Sequence, residues 1–166
     1  NYTMIEVVAG VMKELIQEGK IRAWGISEVD ENYLRRAHAV CPVTVIQNRY
    51  SMMARWHETL FPVCKELNVT YVGFSPLANG FLSGKYDSSH QFDKTHDYRS
   101  RMPQFSEEGH QKSQQLLDYL NQVCKSKKCT LAQISLAWMI HKGIVPIPGS
   151  RKVERMQENF DSAKIH

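Results

Sequence analysis

The chain has 166 residues, of which 42% are hydrophobic and 23% charged, with a formal net charge of +4. Those values are ordinary for one soluble globular domain with a real core. No apolar run approaches the roughly 20 residues of a membrane span, no signal peptide is expected, and the dispersed Lys and Arg form no aromatic-interleaved basic stripe, so neither a membrane nor a nucleic acid is an expected partner.

Met4, Val7, Val8, Val11, Leu15 and Ile16 recur at helical spacing, and Gly19 closes that helix. Ile21 to Ile26 reads as a strand. Asp30 opens a second helix, which stops before Pro42 because the residue preceding a proline disfavours the α region. Val43 to Gln47 is the next strand, Leu60, Phe61, Cys64 and Leu67 mark a third helix, and Thr70 to Phe74 a third strand. This α-β-α-β-α-β order implies parallel strands joined by right-handed helical crossovers.

Residues 84 to 105 break the rhythm. They hold His90, His96, Asp97, Tyr98, Arg99, Arg101 and Pro103 and few aliphatics, and they read as a long loop, of a length found in lids or in disordered segments. Ser106-Glu-Glu then starts a helix with Leu116, Leu117, Leu120 and Val123 on its inner face. Thr130-Leu-Ala-Gln133 has capping-box spacing for the next helix. Val145 to Ile147 is the fourth strand, and Ser150 can cap the last helix. Four parallel strands with flanking helices make an α/β chain that suits half of an eight-stranded (β/α) barrel. A half-barrel leaves two open sheet edges and an exposed apolar face, so the chain is expected to be one part of a larger folding unit.

Three segments put polar or glycine residues at the carboxyl end of a strand, where ligands bind in parallel α/β folds. The first is Val43-Thr-Val-Ile-Gln-Asn-Arg-Tyr-Ser51. In the second, Tyr71 to Gly84, Ser75-Pro76 stops the strand, and Gly80 and Gly84 let the backbone pass close to a ligand. In the third, Ile144 to Phe160, an apolar strand runs through Gly149-Ser150 into a helix with Arg151, Lys152 and Arg155 in its first turns. Free N–H groups, the positive dipole end and three cations converge there, an arrangement made for a phosphate monoester. The alternative for that cluster taken alone is a solvated basic helix start.

Cys41, Cys64, Cys124 and Cys129 are scattered, as small buried hydrophobes are in a reducing, cytoplasmic compartment. Cys124 and Cys129 have too few neighbouring ligands for a metal, and none is expected. Tyr50, Lys85, His57 and the loop histidines are read as rim or surface residues.

The segments Trp24-Gly-Ile-Ser-Glu28, Ile46-Gln-Asn-Arg-Tyr-Ser51, Phe74-Ser-Pro-Leu-Ala-Asn-Gly80, Leu131-Ala-Gln-Ile-Ser-Leu-Ala-Trp138 and Ile147-Pro-Gly-Ser-Arg-Lys-Val-Glu-Arg-Met-Gln-Glu-Asn159 occur in the order and spacing of aldo-keto reductases. The resemblance covers nearly the whole chain, and it is to the C-terminal half of such a protein. It implies a C-terminal half of a (β/α)8 barrel that binds NADP(H). Ser27 and Gln47 match residues that hold the nicotinamide carboxamide, and Phe74 matches an aromatic that stacks on the ring. For Ser27 a helix cap is the alternative, and for Phe74 a place in the core. Ser75, Pro76, Leu77 and Gly80 match the loop around the pyrophosphate. Ser150, Arg151 and Arg155 match residues around the adenosine 2′-phosphate, which favours NADP(H) over NAD(H). Glu158 and Asn159 match a pair that hydrogen-bonds the adenine. Two positions depart from relatives. Glu28 stands where Asn is frequent, and a carboxylate cannot donate a hydrogen bond. Gly149 stands where some relatives have lysine.

The family's tyrosine, lysine, aspartate and histidine of catalysis lie on the other half of its barrel, and nothing in this chain matches them. The resemblance therefore implies a cofactor-binding part of a reductase of aldehydes or ketones, partnered by a small carbonyl substrate and by the N-terminal half. Two further roles remain open: an NADP(H)-binding partner subunit of the channel-associated type, to which Ser83-Gly-Lys-Tyr-Asp-Ser88 is similar, and an inactive half-barrel.

Overall fold

A computed structural model of the chain describes residues 4–166. Helix α1, Ile5–Gln17, buries Ile5 and Ala9. Gly19 ends it at φ +70°, where its N–H donates to the Ile16 carbonyl and the Lys20 N–H to the Leu15 carbonyl, the paired bonds of a Schellman cap. Helix α2, Glu31–Val40, is capped by Asp30, whose carboxylate accepts the Tyr33 N–H at 2.8 Å. Helix α3, Leu60–Glu66, presents Leu60, Val63 and Cys64 to the core.

Among the described residues, four strands form one parallel sheet in the order β1-β2-β3-β4: β1 Gly25–Ser27, β2 Val45–Arg49, β3 Thr70–Phe74 and β4 Val145–Pro146. Neighbours in space are neighbours in sequence, as helical crossovers require. Strand β3 has the expected bounds, β1 and β4 are shorter than expected, and β1 and β2 start later. Residues 21–24 lie outside β1. Pairing of β1 with β2 begins at Gly25↔Val45. Pro42, just upstream on the β2 side, has no N–H for a ladder bond, and its carbonyl is taken by the Trp24 indole at 3.0 Å.

The sheet has two unlike faces. Ile46 and Asn48 of β2 and Tyr71 and Gly73 of β3 are buried beneath the helices, with Leu34, Val63 and Met139 in the same core. By the pleat, Ser27, Gln47, Arg49, Val72 and Phe74 share the opposite face. Ser27 and Gln47 are exposed there, and Val145 on the edge strand is 48% exposed.

The connection from β3 to β4 carries a second, smaller core. It contains a 3-10 stretch Ala78–Ser83, helix α4 Glu107–Lys127 and helix α5 Leu131–His141, and it gathers Ala78, Phe81, Leu82, Leu120, Cys124 and Ile134. Both bonds of the Thr130/Gln133 capping box are present at the start of α5. Residues 84–105 are less irregular than the sequence implies, since Tyr98–Arg101 and Pro103–Phe105 form 3-10 turns. Aromatic packing, which has no local period, holds them: Phe92 lies 5.0 Å from Tyr86 and 4.8 Å from Phe105 between ring centres.

The last helix, α6, is Val153–Asp161, and it begins three residues after Ser150. Ser150 therefore does not cap it. Its hydroxyl accepts the Lys152 N–H at 3.2 Å and donates to the Lys152 carbonyl at 3.0 Å, closing a small turn ahead of the helix. Arg151 and Lys152 accordingly precede α6, and Arg155 lies in its first turn. All four cysteines are free. No helix among the described residues is long and apolar enough to cross a membrane.

Candidate functional site

The carboxyl ends of the strands carry the backbone conformations that side chains avoid. Glu28 after β1 is at φ +53°, and Ser75, Ala78 and Asn79 after β3 are at +52°, +48° and +60°. Gly80 follows at +98° and Gly84 at +67°. Each non-glycine residue in this region costs on the order of 1 kcal/mol, and such strain clusters where a backbone must approach a ligand. The turn after β3 thus matches the glycine-marked segment in the sequence.

This turn forms one wall of a cavity of about 780 Å³. Ser75, Pro76, Leu77 and Gly80 lie on that wall, and Gly149, Arg151, Arg155, Glu158 and Asn159 line the opposite one. Nine of the thirteen residues expected from the sequence therefore meet around one space. Ser150 is not among the lining residues, because its hydroxyl is turned onto Lys152.

The remaining three lie on the open sheet face. The register Ser27↔Gln47 sets those two side by side on adjacent strands, and Arg49↔Phe74 sets Phe74 one pleat further along. The Ser27 hydroxyl donates to the Gln47 carbonyl at 2.7 Å, so Ser27 ties β1 to β2 and does not cap a helix. Gln47 keeps its side-chain amide free of hydrogen bonds among the described residues. Phe74 is half-buried with the Arg49 guanidinium 5.6 Å from its ring centre.

Glu28 turns back onto the sheet and accepts the Arg49 N–H at 3.0 Å. A carboxylate in place of an amide there completes the strand end. The polar run after Ile46 divides by face. Asn48 is fully buried, accepting the Val29 N–H at 3.1 Å and donating to the Val29 carbonyl at 2.8 Å.

Tyr50 is also fully buried and is a core residue, which corrects its placement at the rim. It stacks on Trp138 at 5.4 Å and donates to Glu58 at 2.5 Å. Arg55 and that hydroxyl hold the Glu58 carboxyl down at about 2, and burial pushes the Tyr50 phenol up.

The third wall comes from the 84–105 segment. Lys85, Tyr86, His96, Asp97, Tyr98 and Arg99 face the cavity. Arg99 is its keystone. The guanidinium donates to Asp97, whose carboxyl is held down at about 2 by that bond, and to the Tyr86 hydroxyl at 2.9 Å. It also lies 4.5 Å from the centre of the Phe92 ring. The Asn79 amide donates to the Tyr98 hydroxyl at 2.9 Å and joins this wall to the strained turn. A pocket walled by a close-approaching backbone, guanidinium groups and an accepting carboxylate suits a phosphorylated nucleotide.

The family model described as "Aldo/keto reductase family" matches residues 1–166. A curated relative, "Aldo-keto reductase yakc [NADP(+)]" from Schizosaccharomyces pombe, is 36% identical over 169 residues, spanning 98% of this chain and 49% of the relative. Among solved structures, the glycerol dehydrogenase AKR11B4 from Gluconobacter oxydans superposes with a TM-score of 0.85 at 24% identity, covering 98% of this chain and 53% of that one. The thermostable aldo-keto reductase Tm1743, solved with the inhibitor epalrestat, gives a TM-score of 0.73 at 25% identity, with coverage of 98% and 50%. The chain spans about half the length of the relatives it matches, and its four parallel strands with their helices correspond to part of their barrel.

Proposed function

The chain belongs to the aldo/keto reductase family, and from that membership and the chemistry of the cavity we propose that it is the NADP(H)-binding part of an oxidoreductase that reduces aldehydes or ketones to alcohols. The observation that carries this reading is the pair Arg151 and Arg155. Arg35, Arg36, Arg55 and Arg99 are each engaged by a carboxylate. Arg151 and Arg155 are exposed, have no ion-pair partner among the described residues, and line the same wall as Glu158 and Asn159. Unpaired guanidinium groups beside hydrogen-bonding side chains fit a 2′-phosphorylated adenosine.

In this reading the strained turn Ser75–Gly80 receives the pyrophosphate on its backbone, with Arg99 and Lys85 across from it. Ser27 and Gln47 orient the carboxamide from two adjacent strands, and Phe74 offers a ring face for stacking. The dihydronicotinamide, when bound, supplies the hydride. Ser27, Gln47 and Phe74 act on the orientation of that ring. No residue of this chain is assigned to protonating the carbonyl oxygen. That step is placed on the other half of the barrel, which also completes the substrate pocket. The free cysteines fit a reducing, cytoplasmic setting.

Titration of the chain with NADPH and NADH tests the proposal. Binding at least tenfold tighter for NADPH is expected, and equal affinity overturns the cofactor assignment. The chain alone is expected to leave NADPH unoxidised across a panel of aldehydes. Turnover above a denatured control would show that it carries its own proton donor.

A further inference from the structure

The capping box at the start of α5 does more than start a helix. Thr130 Oγ1 accepts the Gln133 N–H at 3.2 Å, and the Gln133 side chain accepts the Thr130 N–H at 3.1 Å. Those two bonds are complete by themselves. Yet both side chains also cross to the same residue of α6. Gln133 Nε2 donates to the Glu158 backbone carbonyl at 3.2 Å, and Thr130 Oγ1 donates to Glu158 Oε1 at 2.6 Å. The first bond fastens α6 to α5. The second reaches the carboxylate, which docking of the helices does not require.

Glu158 lines the nucleotide cavity with Asn159 and Ala132. A free glutamate explores many rotamers, and fixing one before a ligand arrives removes an ordering cost from binding. Thr130 occupies Oε1, and Oε2 has no hydrogen bond among the described residues. A carboxylate only accepts. It favours a base that offers N–H groups and disfavours one that presents a carbonyl at the same place. Resting on the adenine assignment made above, we propose that Thr130 is a positioning residue that holds Glu158 for the 6-amino group of adenine, and so makes the site select 6-aminopurine over 6-oxopurine nucleotides.

The readout is a ratio of affinities of the full chain for NADPH and for the reduced nicotinamide hypoxanthine dinucleotide phosphate, in which a 6-oxo group replaces the 6-amino group and N1 carries a proton. The wild-type chain is expected to prefer NADPH by about tenfold or more, the worth of one hydrogen bond to a charged group. Thr130→Ser keeps the hydroxyl and should keep the ratio. Thr130→Asp keeps a good helix cap but sets a carboxylate against Glu158, and should bring the ratio to within about threefold of unity. General weakening from the added charge cancels in a ratio. Should the Asp variant melt early, Thr130→Val removes the same bond and should give the same collapse.

A variant that weakens both nucleotides equally and leaves the ratio intact makes Thr130 a plain interhelix tie, and the inference falls. It falls as well if the wild type binds both nucleotides alike while still preferring NADPH to NADH, which leaves the cofactor reading standing. Failure of the wild type to bind NADPH overturns both.

Discussion

The two ends of the proposed cofactor site are built in opposite ways. At the adenosine end the chain encloses the space itself, with a strained turn, a helix start and the Arg99 clasp on three sides. At the nicotinamide end Ser27 and Gln47 are exposed and Phe74 is half-buried, on the sheet face turned away from the core. Recognition of the nucleotide should therefore be intrinsic to this chain, whereas use of the ring for chemistry should depend on what closes over that face. The contrast also separates two kinds of mutation. Changes at the enclosed end should disturb binding or stability, and truncation of Gln47 on the open face should disturb neither until the barrel is complete.

The largest effect is expected at the 2′-phosphate. Arg155→Ala should weaken NADPH binding by about 1.5–3 kcal/mol, the range for hydrogen bonds to charged groups, and leave NADH nearly unchanged. Calorimetric titration with both cofactors measures this, and an equal loss for both would remove Arg155 from the phosphate. Next comes Gly80→Ala, which puts a side chain at φ +98° with its Cβ 2.9 Å from the Tyr86 ring. A destabilisation of about 1–2 kcal/mol follows from the left-handed backbone alone. Gln47→Ala on the open face should stay within about 0.5 kcal/mol. Urea unfolding of the two variants compares the ends directly, and similar losses would erase the distinction. The smallest effect is in dynamics. Hydrogen exchange in residues 84–105 should slow when NADPH binds, while Thr70–Phe74 changes little. Equal protection in both states would make the segment a fixed wall.

Most of the enclosed end was legible, because its signals are local. A proline after a strand, two glycines and a cluster of cations each act through their own backbone or charge, and the Thr130/Gln133 pair is read directly from its spacing. What escaped depends on partners far away in sequence. Tyr86 and Phe92 clasp Arg99, with Phe105 packed on both rings, and no regular spacing links them, so no period marks them. Tyr50 sits beside a polar run and reads as rim, yet the pleat turns it inward, where Trp138 stacks on it from 88 positions along the chain. Ser150 has the composition of a cap, but a turn onto Lys152 satisfied it first. The starts of β3 and β4 were legible, but those of β1 and β2 were not: apolar residues mark where a strand is possible, and Pro42 has no N–H to offer to a ladder ahead of β2.

Helix α5 has almost no face that belongs to solvent. Met139 joins the core beneath the sheet, and Ile134 joins the core beneath the 84–105 segment. In folding terms the chain is then two cooperative units that share one strut. The units β1 to β3 with α1 to α3 draw on contacts close in sequence and should assemble early. The second core must wait for α5 to find both sides at once, because β4 pairs with β3 only after some 70 residues have been gathered in. The wall that would recognise the nucleotide is therefore the late-formed part of the molecule, and its order reports whether folding has finished.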